Sequence, residues 1–251
     1  MPTAPEFSIV TCTWNSAATL ADTLASVRAQ TCQDIEHIFV DGGSTDATLD
    51  MIEAYRLPRK LLLRDVTGGI SRAMNHGIAA ASGELVAHLH SDDYYAGADV
   101  LASVAARLAG SGRDWLFGAI DVLRDGALAA PPPLHPFSYF SLASGKTFIP
   151  HPATFVRRAL FARAGAFDEG LKYAMDIDLW LRLAAISAPA TLDRPLAVFR
   201  DHAGSVSSAN KIAARREEFS VRRRHFASAP LAFSIYCLRY LKRMRALRRQ
   251  P

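Results

Sequence analysis

Two adjacent carboxylates, Asp92 and Asp93, close the apolar run in LVAHLHSDDYY, residues 85–95. Neighbouring like charges repel and are costly where water is excluded, and a divalent cation would remove that cost. Magnesium or manganese favours such oxygen ligands and also holds phosphates. A solvated turn or a helix N-cap accounts for the pair without any chemistry, because Asp is common there. A second acidic centre is VDGGSTD, residues 40–46. Its Gly42 and Gly43 let a backbone approach a ligand closely, and Asp41 could accept hydrogen bonds from a base or a ribose. The same residues suit an ordinary strand-to-helix turn. The spacing is neither GxGxxG nor GxxxxGK[ST], so neither phosphate-loop mechanism transfers. A third centre, Asp176 and Asp178 in AMDIDLWLRL, offers a carboxylate for taking a proton, or simply acids favoured by a helix dipole.

The elements that must carry these groups alternate. FSIVTCTW and IEHIFVDGG read as strands, KLLLRDV as a third and ELVAHLH as a fourth. Helical spacing separates them: Leu20, Leu24 and Val27, then STDATLDMIEAY, then GISRAMNHGIAAAS. Alternation of this kind predicts βαβ units, an α/β class and a mostly parallel central sheet flanked by helices. In such sheets ligands bind outside the carboxyl ends of the strands. TWN, DGGSTD, DVTGG and HSDD each follow one of the four strands, so they converge on one edge. Further on, DWLFGAIDVLRDGALA predicts two strands about a DG turn, residues 131–150 a Pro-rich loop, and ATLDRPLAVFRDH a late strand.

Composition narrows the class. The chain has 251 residues, half of them hydrophobic, enough for one large domain with an appendage. It has no apolar run of about 18 residues, so no spanning helix is expected. The N-terminus lacks a basic stretch followed by an apolar one, and Cys12, Cys32 and Cys237 are an odd, scattered trio, so a cytoplasmic location is expected. Of 29 basic side chains, twelve lie in residues 211–251 with only two of the 24 acids, so that segment carries +10 and the rest of the chain −5. This basic, aromatic-rich stretch suits an anionic membrane surface, or a face packed on the body or on a second copy in a homodimer. No nucleic-acid motif accompanies it, so no nucleic-acid partner is expected.

SIVTCTWNSAATLADTLASVRAQTCQDIEHIFVDGGSTDAT, GGISRAMNHGIAAASGELVAHLHSDD, HPATFVRRALF and GAFDEGLKYAMDIDLWLRL, in this order, resemble a family-2 glycosyltransferase of the GT-A fold, in the branch that builds bacterial surface polysaccharides. The resemblance covers about residues 7–208 and implies a catalytic domain at 1–208, followed by a basic amphipathic helical tail at 209–251. It implies nucleotide contacts from Thr11, Thr13, Trp14, Asn15, Asp41 and Gly43, with Trp14 against the base. It places a DxD-like motif at Ser91, Asp92 and Asp93, with Asp93 the direct ligand of Mn²⁺ or Mg²⁺ and Asp92 on the donor as well. It also makes Asp176 the catalytic base of an inverting transfer, and His151 and Asp178 part of the acceptor region. His202, in FRDHAGSVSS, could reach the metal or the diphosphate. The donor implied is a nucleotide-diphosphate sugar, UDP-linked in preference to GDP-linked, and the acceptor a glycan or lipid-linked glycan. The location implied is cytoplasmic, and the basic tail leaves open a peripheral place on the inner face of the cell membrane.

The chain departs from that pattern in four places. Thr67 and Arg72 stand where acidic residues are expected, Met175 precedes Asp176 where many relatives have Glu, and His90 replaces the first carboxylate of a longer D-x-D-D pattern. Arg72 could face a pyrophosphate. Two rivals remain at this stage: a sugar nucleotidyltransferase, for which TWNSAATL lacks a basic Gly-rich loop, and a catalytically inactive GT-A-like scaffold, against which Asp41, Asp93 and Asp176 argue.

Overall fold

The structure, a computed structural model, describes residues 4–130, 134, 136–201 and 210–248. β1 (Phe7–Thr13), β2 (Ile35–Asp41) and β3 (Arg59–Leu63) alternate with α1 (Leu20–Arg28) and α2 (Thr48–Ala54). α3 (Ile70–Ala80), β4 (Leu85–His88), the short β5 (Tyr94–Tyr95) and α4 (Val100–Ser111) follow. The second half contributes β6 (Trp115–Arg124), β7 (Ala127–Ala129), α5 (Tyr139–Ala143), β8 (Thr154–Arg157), α6 (Arg158–Ala164), α7 (Met175–Ile186) and β9 (Ala190–Arg200). Two helices, α8 (Lys211–Arg224) and α9 (Pro230–Leu247), complete the described chain.

The strands form one nine-stranded mixed sheet in the order β3-β2-β1-β4-β8-β6-β9-β5, with β7 pairing antiparallel to the end of β6. The pairings β3-β2, β2-β1 and β1-β4 are parallel, as the βαβ alternation requires. Antiparallel pairing begins where β8 docks on β4 and continues from β8 to β6. β6 and β9 run parallel, with register shifts between Gly118 and Ile120, beside Pro195, which has no N–H to give the ladder. The register sets Thr13 opposite Asp41, so the polar ends of β1 and β2 finish level.

Helices cover both faces. On one, α3 lies so close to β1 that a Cβ on Gly77 would sit 2.3 Å from a Val10 methyl. On the same side Trp115 stacks on Trp180, centroids 5.9 Å apart, and joins β6 to α7. On the other face Val100, Leu101, Val104 and Leu108 of α4 bury against Phe7, Ile9 and Phe155. The stretch 131–150, expected as loop, contains α5. Its single turn has no helical periodicity to betray it, and a Ser138–Ser141 capping box holds it.

The helices of the basic segment pack on the body. Val221, Ala232, Tyr236 and Met244 are buried, and so is the ion pair Glu218–Arg222 at 2.9 Å. Arg222 also donates from Nη1 to the carbonyls of Leu142 and Ala143 and stands 4.7 Å over the Tyr236 ring. The opposite side leaves Leu231, Leu238 and Leu241 exposed. The 208/209 boundary expected from sequence lies outside the described residues.

Candidate functional site

At the ends of β1 and β2 a hydrogen-bond web shapes a polar ledge. Asp41 is 1% exposed, and its carboxylate accepts from Thr13 Oγ1 (2.7 Å), Ser44 Oγ (2.6 Å) and the Gly43 and Ser44 N–H groups (2.9 and 2.8 Å). Burial works to raise its pKa, but the bonds from Ser44, Thr13 and Gly43 outweigh it and hold the carboxyl below its ordinary value. Four bonds use the acceptor sites of a carboxylate, so Asp41 organises this turn. Gly43, at φ +93°, takes a conformation that suits glycine. Asn15 ties the two turns together: its Oδ1 accepts from Thr45 N–H at 2.9 Å, and its own N–H donates to Ser44 Oγ. Trp14, 70% exposed, stands at the rim beside Gly42.

Thr11 requires a correction. It is fully buried, donates to Leu89 O at 2.7 Å and pairs with His37 Nε2 at 2.9 Å, so it has no surface to offer a nucleotide. Its face of β1 is covered where it lies, and only Thr13, one pleat further on, reaches the ledge.

The Asp92–Asp93 loop is clamped from two sides. From α1, Thr23 Oγ1 donates to Asp93 O (2.7 Å); from the end of β9, Arg200 donates its backbone N–H to Asp93 Oδ1 (3.1 Å) and Nε to Asp92 O (3.1 Å). Ser91 Oγ donates to Ser16 Oγ at 2.8 Å. Asp93 is 2% exposed, and burial followed by the charge of Asp92 pushes its carboxyl well above the ordinary range. Of the two, Asp92 is the one with solvent access. Among the described residues no three His, Cys, Asp or Glu side chains are grouped to hold a metal by themselves. The donors present fit a cation held by one or two carboxylates and completed by ligand phosphates. His202 lies outside the described residues. Arg72, exposed in the first turn of α3, extends over Gly68. That helix starts with no side-chain cap and no acid in its first turn.

Three histidines bridge from this loop to the other half of the site. His90 stacks on His151 (5.1 Å, 15°), and His88 lies 5.4 Å from His151. Burial lowers all three pKa values, that of His88 to about 3, so the cluster is neutral. His151 in turn lines a cavity of about 430 Å³ with Asp176, Tyr173, Phe148, Phe199 and Glu218. Burial, aided by the nearby Glu218 charge, raises the Asp176 carboxyl to about 6, against the Ile177 N–H that donates to Oδ1 at 2.7 Å.

Asp178 is the second correction. Residues two apart on an α-helix project roughly 200° from each other, and Asp178 points away from the cavity. It is 5% exposed and bonded to Arg182 at 2.9 Å and to His225 at 3.4 Å. Arg182 also donates to the carbonyls of Ala164, Gly165 and Ala166, so this pair fastens α7 to the end of α6. Sequence reasoning missed Glu217, Glu218 and Arg200. The two glutamates were hidden in a strongly basic run, and Arg200 has no spacing that links it to Asp93.

The comparisons agree with this architecture. The family model for glycosyl transferase family 2 matches residues 8–166. An uncharacterised glycosyltransferase of Mycobacterium tuberculosis is 35% identical over 196 residues, 76% of this chain and 74% of its own. A PGL/p-HBAD biosynthesis glycosyltransferase of the same organism is 36% identical over 201 residues, 76% of this chain and 73% of its own. Among solved structures, S. aureus TarS 1–349 in complex with UDP-GlcNAc superposes with a TM-score of 0.69 at 21% identity, covering 89% of this chain and 73% of that one. The mannosyltransferase PcManGT of Pyrobaculum calidifontis, in complex with GDP-Man and Mn²⁺, gives 0.67 at 19%, covering 97% and 76%. At such identities the structures speak for the GT-A fold. With the family model across more than half of its length, and relatives above 30% identity across three quarters of it, the chain belongs to glycosyl transferase family 2.

Proposed function

We propose that the protein is an inverting glycosyltransferase, moving a sugar from a nucleotide-diphosphate donor to a hydroxyl of a glycan or lipid-linked glycan. The observation that carries this reading is Asp176: a carboxylate in a roomy cavity, its pKa raised to about 6, one histidine stack away from the Asp92–Asp93 loop. A base tuned toward neutrality is the form that proton abstraction from a hydroxyl favours.

In this reading the ledge of Thr13, Trp14, Asn15 and Gly43 receives the nucleoside, with Trp14 offering a stacking face and Asp41 holding the ledge in shape. Asp92, with the buried Asp93 behind it, would hold Mn²⁺ or Mg²⁺, and Arg72 would face the donor phosphates. When bound, the ion supplies positive charge for the leaving diphosphate. Asp176 accepts the acceptor's hydroxyl proton. The freed oxygen forms the new bond to the anomeric carbon from the side opposite the diphosphate, which leaves with the electron pair of the broken C–O bond. One displacement inverts the configuration and needs no covalent enzyme intermediate.

UDP is favoured as the nucleotide, because TarS, a structural neighbour, is described with UDP-GlcNAc; PcManGT with GDP-Man keeps GDP as the alternative. A relative named as a PGL/p-HBAD biosynthesis glycosyltransferase supports a role in glycoconjugate biosynthesis. No helix among the described residues is long and apolar enough to cross one. The exposed leucines and basic side chains of α9 offer a face for attachment to a membrane surface.

The test is turnover of a panel of UDP- and GDP-sugars, with Mn²⁺ present and with it chelated. Metal-dependent release of one nucleoside diphosphate is expected, with inverted configuration in the product. Turnover with retained configuration would overturn the single-displacement reading.

A further inference from the structure

Helix α7, which carries Asp176, has no cap of its own: its N-cap residue is Ala174, whose side chain accepts nothing. The backbone N–H groups of Lys172 and Tyr173, ahead of the helix, and of the N-cap Ala174 lie outside the helical ladder and need an acceptor. They find it in one side chain from a distant part of the chain. Glu217 accepts from Lys172 N–H with both oxygens (3.0 and 3.1 Å), and from the N–H groups of Tyr173 and Ala174 (2.7 Å) with Oε2. Asp176 follows two residues later.

The support of Glu217 is itself anchored. Its neighbour Glu218 is 3% exposed, bonded to Arg222 at 2.9 Å and to Arg215 at 2.6 Å, and lines the cavity with Asp176. Arg222 is fixed to the α5 carbonyls. A carboxylate gathering three N–H groups makes short, charge-assisted bonds, and a group locked by packing behind it transmits position.

We infer that Glu217 is a positioning residue for Asp176, which makes α8 a working part of the transfer site. The inference rests on the reading of Asp176 as the base. Displacing a reacting group by about 1 Å can cost roughly a hundredfold in rate, so slackening this fastening acts on turnover before it acts on donor binding.

The experiment measures kcat, donor KM and melting temperature for Glu217→Ala, Glu217→Gln, Asp176→Asn, the Asp176→Asn/Glu217→Ala double variant and Phe233→Leu. Phe233 packs 5.5 Å from Phe219 between α8 and α9 and serves as a packing control. Glu217→Ala is expected to lower kcat by about 10- to 100-fold with donor KM within about twofold. Glu217→Gln, which keeps one acceptor oxygen, should recover part of the loss. In the Asp176→Asn background, Glu217→Ala should cost nothing further, as for residues acting through one group. Equal kcat loss in Phe233→Leu at matched melting temperature, or full additivity in the double variant, would overturn the inference. An inactive Asp176→Asn beside a Glu217→Ala of wild-type kcat overturns it alone. An Asp176→Asn of wild-type rate overturns the base assignment, and the Glu217 inference falls with it.

Discussion

The imidazole of His90 lies nearly parallel on that of His151, ring centroids 5.1 Å apart. Through this contact the loop bearing Asp92 meets the wall of the cavity bearing Asp176. Neither His90 Nδ1 nor His151 Nε2 has a hydrogen-bond partner among the described residues, and Trp180 Nε1 beside them is in the same state. Buried polar atoms left so are costly. Replacing His90 by Phe keeps an aromatic ring against His151 and removes the unpaired Nδ1 of His90. The expected result is an unchanged or higher melting temperature with a several-fold higher acceptor KM. Unchanged acceptor KM in steady-state kinetics would show that the His90 imidazole serves as packing alone.

Asp176 gives a pH dependence with a definite sign. A base must be ionised to accept a proton, and its carboxyl sits near 6. Activity therefore falls as pH drops through about 6, on the kcat/KM profile that reports the free enzyme. Asp176→Asn removes that limb and lowers kcat by roughly 10²- to 10⁴-fold, while donor affinity measured by calorimetry stays near wild type.

The two carboxylates of the loop should respond differently. Asp93 is buried beside the charge of Asp92, and Asn at this position keeps an oxygen for the Arg200 N–H. Without metal, Asp93→Asn is expected to raise the melting temperature at pH 7 by a few degrees, since it removes a buried like charge. Asp92→Asn should change stability little and abolish most of the extra stabilisation that Mn²⁺ gives in the presence of UDP. Thermal shift with and without Mn²⁺ and UDP reads both.

The exposed leucines of α9 predict where a membrane would touch. Leu231, Leu238 and Leu241 lie on the outer side of a helix whose inner side holds Tyr236 and Met244. A Leu231→Glu/Leu238→Glu/Leu241→Glu variant should keep its melting temperature and lose sedimentation with anionic vesicles. Binding that persists at wild-type level would reject the membrane role. Truncating the whole segment is a poorer test, because Glu218, Val221 and Arg222 are buried against the body.

Much of this was legible in the sequence. The βαβ alternation announced the parallel half of the sheet, and the polar clusters at the strand ends announced Asp41, the Asp92–Asp93 loop and the edge where they meet. What pattern reading could not supply was direction. Thr11 and Thr13 share one face of β1, yet the first is tied to Leu89 and His37, and the second, though also buried, ends the strand and bonds to Asp41. Asp176 and Asp178 both look like first-turn acids, and the helix turns one toward the cavity and the other toward Arg182. Glu217 was illegible for a different reason: its partners are backbone N–H groups, which leave no mark in sequence.

That last contact also orders events during synthesis. Glu217 lies 41 positions beyond Asp176. At roughly 5–20 residues per second, the ribosome makes it about 2–8 s later. The residues of the helix bearing Asp176 are thus made before the side chain that fastens that helix exists. On the positioning role proposed for Glu217, a chain would reach its full rate of transfer only after α8 has left the exit tunnel.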